Sequence, residues 1–254
     1  MPISYYQLRG PLRKHKGNIG RNQIRDGDAT FIVKGEQRPP PPFILAQEYI
    51  CAELAGHIRL PLPPHFIARD HKGIALFCSM NLTISGASPP PLDRPDIACV
   101  EEPDLCTGLI LFDIWMLNTD RHWKNVSFQS ERPPQRLGIF DHSHTLFFYN
   151  DWSTRFRGRL AIGGHDAPGS NRHVLLDHLH TSDYLSKWIT RIAEFPNEYL
   201  REVLGNAEEL GLPNFVGRQA YDFLRERRDT LAQIVDDHRS EFTAIVDWGM
   251  LWGT

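Results

Sequence analysis

The sequence contains no Cys-x-x-Cys pair. Its four cysteines, Cys51, Cys78, Cys99 and Cys106, are scattered, and three of them lie inside apolar runs. That spacing argues against a zinc clamp or a disulfide framework and predicts buried free thiols in a reducing, cytoplasmic setting. No apolar run reaches membrane-spanning length, and the opening MPISYYQLRG lacks the charged-then-apolar order of a secretion signal, so no membrane partner is expected. The net charge is only −3, which removes the bulk electrostatic case for nucleic acid as a partner.

What is present reads as an ordinary globular chain, 41% apolar and 23% charged, long enough at 254 residues for two lobes sharing a cleft. Proline clusters at 38–42, 60–64, 88–92 and 132–134 mark connections, because proline is excluded from helix interiors and central strands. Ala29 to Lys34 is a short β-prone run after the turn signal Asp26-Gly27. Residues 43–59 place Leu45, Tyr49, Ala52 and Ala55 on one helical stripe. HFIARD, a turn at His71–Gly73 and IALFCSM predict a hairpin. Beyond the proline break, PDLCTGLILFDIWMLN is apolar around its whole circumference and predicts a helix buried inside a lobe. Short strands NVSF and LGIF follow, and the pattern from about 177 to 246 is helical, with Ser182 beside Asp183 as a candidate cap. The expected organisation is an N-terminal lobe over residues 1–88 and a mostly α lobe over 89–254. The fold class is α+β.

The densest polar cluster, NTDRHWKN (Asn118 to Asn125), ends the most apolar segment. Such a cluster is either a capping turn or a reaction centre. Phosphoryl transfer from ATP mainly needs positioning and charge neutralisation: a carboxylate to steer the incoming hydroxyl's proton, an amide and a second carboxylate for magnesium, and a lysine on the phosphates. In protein kinases the first carboxylate and the amide lie five residues apart on a loop after a buried helix. Asp120 and Asn125 have that separation after such a helix, Asp141 ends the apolar strand pattern RLGIF, and ATFIVKG supplies Lys34. An inward-facing ammonium needs a partner. Glu48 and Glu53 are five positions apart on the next helix and do not share a face, so only one of them meets the lysine.

DRHWKN followed by FDHSH resembles the motifs of phosphoinositide-kinase-like enzymes, and the chain over about residues 20–150 is similar to the bacterial HipA-type kinases. FIVKG and QEYICAELAGHIRLPLP carry the likeness to their lysine strand, glutamate helix and Leu-Pro-x-Pro exit. The resemblance implies a two-lobed protein-kinase-like fold that uses ATP and Mg2+. By matching position, Lys34 would bind the α/β-phosphates with Glu48 as its ion-pair partner, and Asp120 would be the catalytic base. Asn125 and Asp141 would be metal ligands, Arg121 would brace the loop, and His122 would share proton handling with Asp120. The implied acceptor is a serine or threonine of a protein, with a small-molecule hydroxyl as the alternative. The additional N-terminal domain of the longer HipA toxins is expected to be absent. The metal motif departs from Asp-Phe-Gly, and the region before Lys34 lacks G-x-G-x-x-G, so arginine, lysine and backbone amides would cover the phosphates. Arg9 to Asp28 has no serine or threonine, which excludes hydroxyl autophosphorylation in that stretch.

Two rival readings stand beside this one. A non-catalytic kinase-like binding module would not need the full Lys, Asp, Asn, Asp set. A histidine-metal hydrolase would centre on His122, Asp141 and His144, with His142 and His144 facing one side of a strand. The strand IALFCSM would lead to the hinge that grips adenine through the backbone of Ser79 and Met80. RERRDTLAQIVDDHR mixes signs at helical spacing and predicts a solvated face.

Overall fold

The computed structural model describes residues 9–19, 22–28, 31–35, 43–81, 91–129, 136–148 and 172–249. Strands β1 (Arg9–Ile19) and β2 (Asn22–Asp28) form an antiparallel hairpin with Ile19 opposite Asn22. Strand β3 (Phe31–Lys34), helix α1 (Ile44–His57) and strands β4 (His65–Arg69) and β5 (Ala75–Met80) follow. The sheet order β3-β5-β4 is antiparallel throughout, with Lys34 opposite Phe77 and Phe77 opposite Ile67. Side chains alternate across a strand, so Ile32, Lys34, His65, Phe77 and Ser79 share one face. Leu45 and Ala52 of α1 pack against that face at Phe77.

Helices α2 (Pro95–Glu101) and α3 (Pro103–Trp115) each begin with proline, whose missing N–H costs nothing in a first turn. From Cys106 to Trp115 every residue of α3 is buried. Around it pack α4 (Leu185–Ala193), α6 (Asn214–Asp229) and α7 (Leu231–Asp237), while α5 (Asn197–Glu208) joins α6 to α1. One apolar core runs continuously from α1 through α3 to these helices. Gly108 lets α3 approach α4 closely, because a Cβ there would lie 2.4 Å from the Trp188 indole. The hairpin β6 (Val126–Gln129) and β7 (Arg136–Ile139) pairs Val126 with Ile139.

Two helix ends are closed by Schellman motifs whose left-handed residue is not glycine. After α1, Arg59 takes φ 65° while its amide donates to Gly56 O and that of Leu60 to Ala55 O. After α3, Leu117 takes φ 56°, its amide donating to Ile114 O and that of Asn118 to Asp113 O. The second motif reverses the chain at the start of the polar cluster.

Three sequence expectations need correction. Ser182 does not cap α4, which starts at Leu185 after Tyr184; the Ser182 hydroxyl instead donates to Asp247 O at 3.2 Å. Arg227 and Arg228 are not on a solvated face. Both are buried, with Arg227 Nε donating to Ile114 O at 3.1 Å and Arg228 Nη1 to Phe195 O at 2.7 Å. Carbonyls at helix ends need donors, and a guanidinium satisfies them inside the core. His142 and His144 lie on a turn after β7 rather than on a strand, and they face different partners. Helix α2 was not foreseen. The expected lobe boundary at 88/89 lies outside the described residues. Among the described residues no helix is long and apolar enough to cross a membrane.

Candidate active site

The polar cluster is organised by one buried ion pair. Arg121 and Asp113 are both fully buried, with Nε donating to Oδ2 at 2.7 Å and Nη2 to Oδ1 at 3.0 Å. Asp113 is the lone charge of the buried part of α3, and its Oδ1 also accepts from Asn118 Nδ2 at 2.9 Å. Burial works against ionising Asp113, but the Arg121 guanidinium prevails and holds its carboxyl well below the usual range. The remaining arm of Arg121 points at the site: Nη1 donates to Asn125 O at 3.1 Å and to Phe140 O at 2.8 Å. One side chain therefore fixes the backbone at Asn125 and directly before Asp141.

A cleft opens between this region and the first sheet. Its lining includes Ile32, Lys34 and Ser79 from the sheet, Glu48 from α1, and Asn125 and Asp141 from the second lobe. Lys34 Nζ lies 2.5 Å from Glu48 Oε1 and 2.8 Å from Asp141 Oδ1. Burial opposes the lysine's charge, yet the two carboxylates outweigh it and raise its pKa. Glu48 is likewise kept ionised despite desolvation, by His142 and Lys34. The Asp141 carboxyl, also desolvated, is pulled far below its ordinary value by Lys34 and Ser143. Asp141 adopts φ 62°, a left-handed conformation that aspartate tolerates better than most residues. Ser143 supports it, its amide and hydroxyl donating to Asp141 Oδ1 at 3.3 and 2.6 Å.

The choice left open between two glutamates is thereby made. Glu48 meets Lys34, while Glu53 accepts from Tyr199 OH at 2.9 Å. Asn125 Nδ2 donates to Asp120 O at 3.1 Å, so Oδ1 is the atom it could offer to a cation. The expected catalytic pair, Asp120 and His122, is not among the residues that line the cleft; the Asp120 carboxylate lies 3.7 Å from His122 Nε2 and 3.5 Å from His144 Nδ1. Of the expected hinge pair, Ser79 lines the cleft; Met80 does not, and its amide donates to Pro64 O at 2.8 Å. Among the described residues no group of three or more His, Cys, Asp or Glu is disposed to hold a metal, which removes the ligand set a histidine-metal hydrolase would need there. The buried His142 gives its backbone amide to Glu48 Oε1 at 3.0 Å. Two residues escaped notice in the sequence. Lys124 lines the cleft, and Asp113 holds Arg121; a single carboxylate inside an otherwise apolar helix was the signal that could have found the second.

No family model matches the chain, and no curated protein matches it. Among solved structures it is similar to the proinflammatory kinase CtkA of Helicobacter pylori, with 13% identity and a TM-score of 0.54, covering 91% of this chain and 98% of that one. It is also similar to HipA of Shewanella oneidensis MR-1, solved with HipB and operator DNA, with 15% identity and a TM-score of 0.49, covering 92% of this chain and 67% of that one. The likeness to CtkA covers nearly the whole of both chains, and this chain has the fold of that kinase.

Proposed function

We propose that the chain is an ATP- and magnesium-dependent phosphotransferase that acts on a serine or threonine hydroxyl of a protein. The observation that carries this reading is the meeting of Lys34, Glu48, Asn125 and Asp141 around one cleft, with the Asp120 carbonyl bonded to the Asn125 side chain. Asn125 and Asp141 offer an amide oxygen and an ionised carboxylate, the hard oxygen donors that magnesium takes. Two protein ligands suffice where substrate phosphates and water complete the shell. Magnesium bound there would neutralise charge across the phosphates.

The chain's own groups divide the remaining work. Lys34, already placed by Glu48, turns its ammonium to the α/β-phosphates. Asp120 orients the acceptor hydroxyl and takes its proton as the new oxygen–phosphorus bond forms and the bond to the departing ADP oxygen breaks. His122 and His144 flank that carboxylate and share the handling of the proton.

The test is transfer from γ-labelled ATP to peptide and small-alcohol acceptors by the wild type, Asp120→Ala and Asp141→Ala. Magnesium-dependent labelling of a hydroxyl peptide by the wild type is expected, with a loss of about 100- to 10,000-fold in Asp120→Ala. Equal activity in all three proteins would overturn the site. Labelling of small alcohols alone would overturn the protein acceptor.

A further inference from the structure

One buried titratable side chain close to the site has no part in the chemistry above. His173 enters the second lobe just before the short 3-10 turn Leu176–His178 and is buried against α3. Its Nδ1 accepts from the Leu175 amide at 3.2 Å, so in the neutral ring the proton is on Nε2. Nε2 therefore donates to Asp113 Oδ2, 3.1 Å away. The neighbouring Val174 amide donates to Arg121 O at 2.9 Å. Residues 173 and 174 thus grip both members of the buried ion pair.

The bookkeeping of Asp113 shows what this grip does. Oδ1 accepts from Asn118 and Arg121, and Oδ2 from Arg121 and His173, so both oxygens are fully satisfied without water. Withdrawing the His173 donor leaves Oδ2 with one partner in a site that solvent does not reach. The carboxylate and its guanidinium would then resettle together. Arg121 Nη1 holds Asn125 O and Phe140 O at once, so any tilt moves both ligand-bearing segments.

We infer that His173 is a positioning residue for phosphoryl transfer, acting through Asp113 and Arg121 on the backbone that presents Asn125 and Asp141. Its catalytic consequence rests on the phosphotransferase reading; its structural consequence does not.

Two near-isosteric variants separate the functions of the ring. His173→Asn keeps an acceptor near Nδ1 for Leu175 but has no donor for Asp113. His173→Gln carries an N–H donor to the Nε2 position. Expected for His173→Asn is a fall in kcat of about 10- to 100-fold, as for other groups that orient ligands from behind. KM for ATP should stay near the wild-type value, and His173→Gln should recover most of the rate. Amide hydrogen exchange, read without nucleotide, should quicken over 120–125 and 140–143 in His173→Asn and return to wild type in His173→Gln. The inference is overturned if His173→Asn exchanges like wild type in those segments, if the change is confined to 173–178, or if glutamine is as damaging as asparagine. Should the wild type transfer no phosphate, the functional reading fails, and the exchange comparison still decides the role of His173.

Discussion

Taking away one member of the Asp113–Arg121 pair, and then both, measures how the site is held. The pair is bidentate and fully buried, with contacts at 2.7 and 3.0 Å. At a charge separation of about 4 Å and an effective dielectric near 20, the attraction is about 4 kcal/mol. Desolvation of two ions offsets much of that, so the pair itself adds little net stability. Removing one partner is different, because the other charge stays buried without compensation. Asp113→Leu is therefore expected to cost about 3–5 kcal/mol, and Arg121→Met about the same. Each kcal/mol lowers Tm by about 2–4 °C in a domain of this size, so either single variant should melt about 6–20 °C lower.

In the double variant neither survivor is a lone charge. Its loss should fall short of the summed single losses by about 4 kcal/mol, read from urea unfolding of all four proteins. Activity should behave otherwise. Without Arg121, Phe140 O loses its donor, whereas Asn125 O still accepts from the Phe140 amide at 3.3 Å. The double variant should regain stability without regaining phosphate transfer. A coupling below about 1 kcal/mol, or a double variant with wild-type activity, would refute the reasoning.

Glu48→Gln leaves Lys34 with one carboxylate where there were two and gives the His142 amide a weaker acceptor. A fall of about 10- to 100-fold in kcat/KM for ATP is expected, and unchanged kinetics would remove Glu48 from the site. Acid should act in two separate windows. Burial lowers the pKa of His173 below its ordinary 6.5, so the unfolded chain binds more protons beneath that pH. The stability linked to His173 is thus present above pH 6.5 and lost as pH falls toward the folded value. Asp113, ionised against its burial by Arg121, begins to lose its contribution only below 3.8. Urea midpoints against pH should show the first loss in the wild type but not in His173→Gln, with the second present in both. Gly108→Ala would drive a methyl group into the Trp188 ring, and a loss of about 1–3 kcal/mol is expected in thermal unfolding. A variant as stable as wild type would show that α3 and α4 can part at no cost.

Local pattern made α1, the β4–β5 hairpin, α3 and the strands around residue 130 legible, because each carries its own period and its own punctuation. Across the Asp-x4-Asn spacing, Asn125 Nδ2 donates to Asp120 O, and of the two residues only Asn125 lines the cleft. What failed was whatever a second element decides. Glu48 and Glu53 are equivalent acids on one helix until the sheet covers one side and α5 the other. Arg227 reads as a surface charge until the end of α3 presents it with the Ile114 carbonyl. Ser182 reads as a cap until Asp247 offers its hydroxyl another partner. Leu117 hid a helix end because left-handed leucine costs about 1–2 kcal/mol and is seldom expected there.

Leu117 also bears on why so polar a cluster follows so apolar a helix. An extended exit from α3 would carry Asn118 to Asn125 away from the Asp113 carboxylate. The left-handed turn instead folds the chain back, so that Arg121 regains the helix it has just left. Asn125 immediately precedes β6, and Asp141 lies two residues beyond the end of β7. The distance between them is therefore set by the pairing of Val126 with Ile139 rather than by loop conformation. Lys34 is placed in the same way, by its register opposite Phe77. Groups held by strand register keep tighter tolerances than groups held by loops. Asp120 has no strand beneath it, and under the proposed function it is the group that meets a variable acceptor. Its backbone amide donates to Asn118 Oδ1 at 3.1 Å and its carbonyl accepts from Asn125, so the main chain is pinned on both sides. The strained turn at Leu117 is what returns the polar cluster to the helix that holds Arg121.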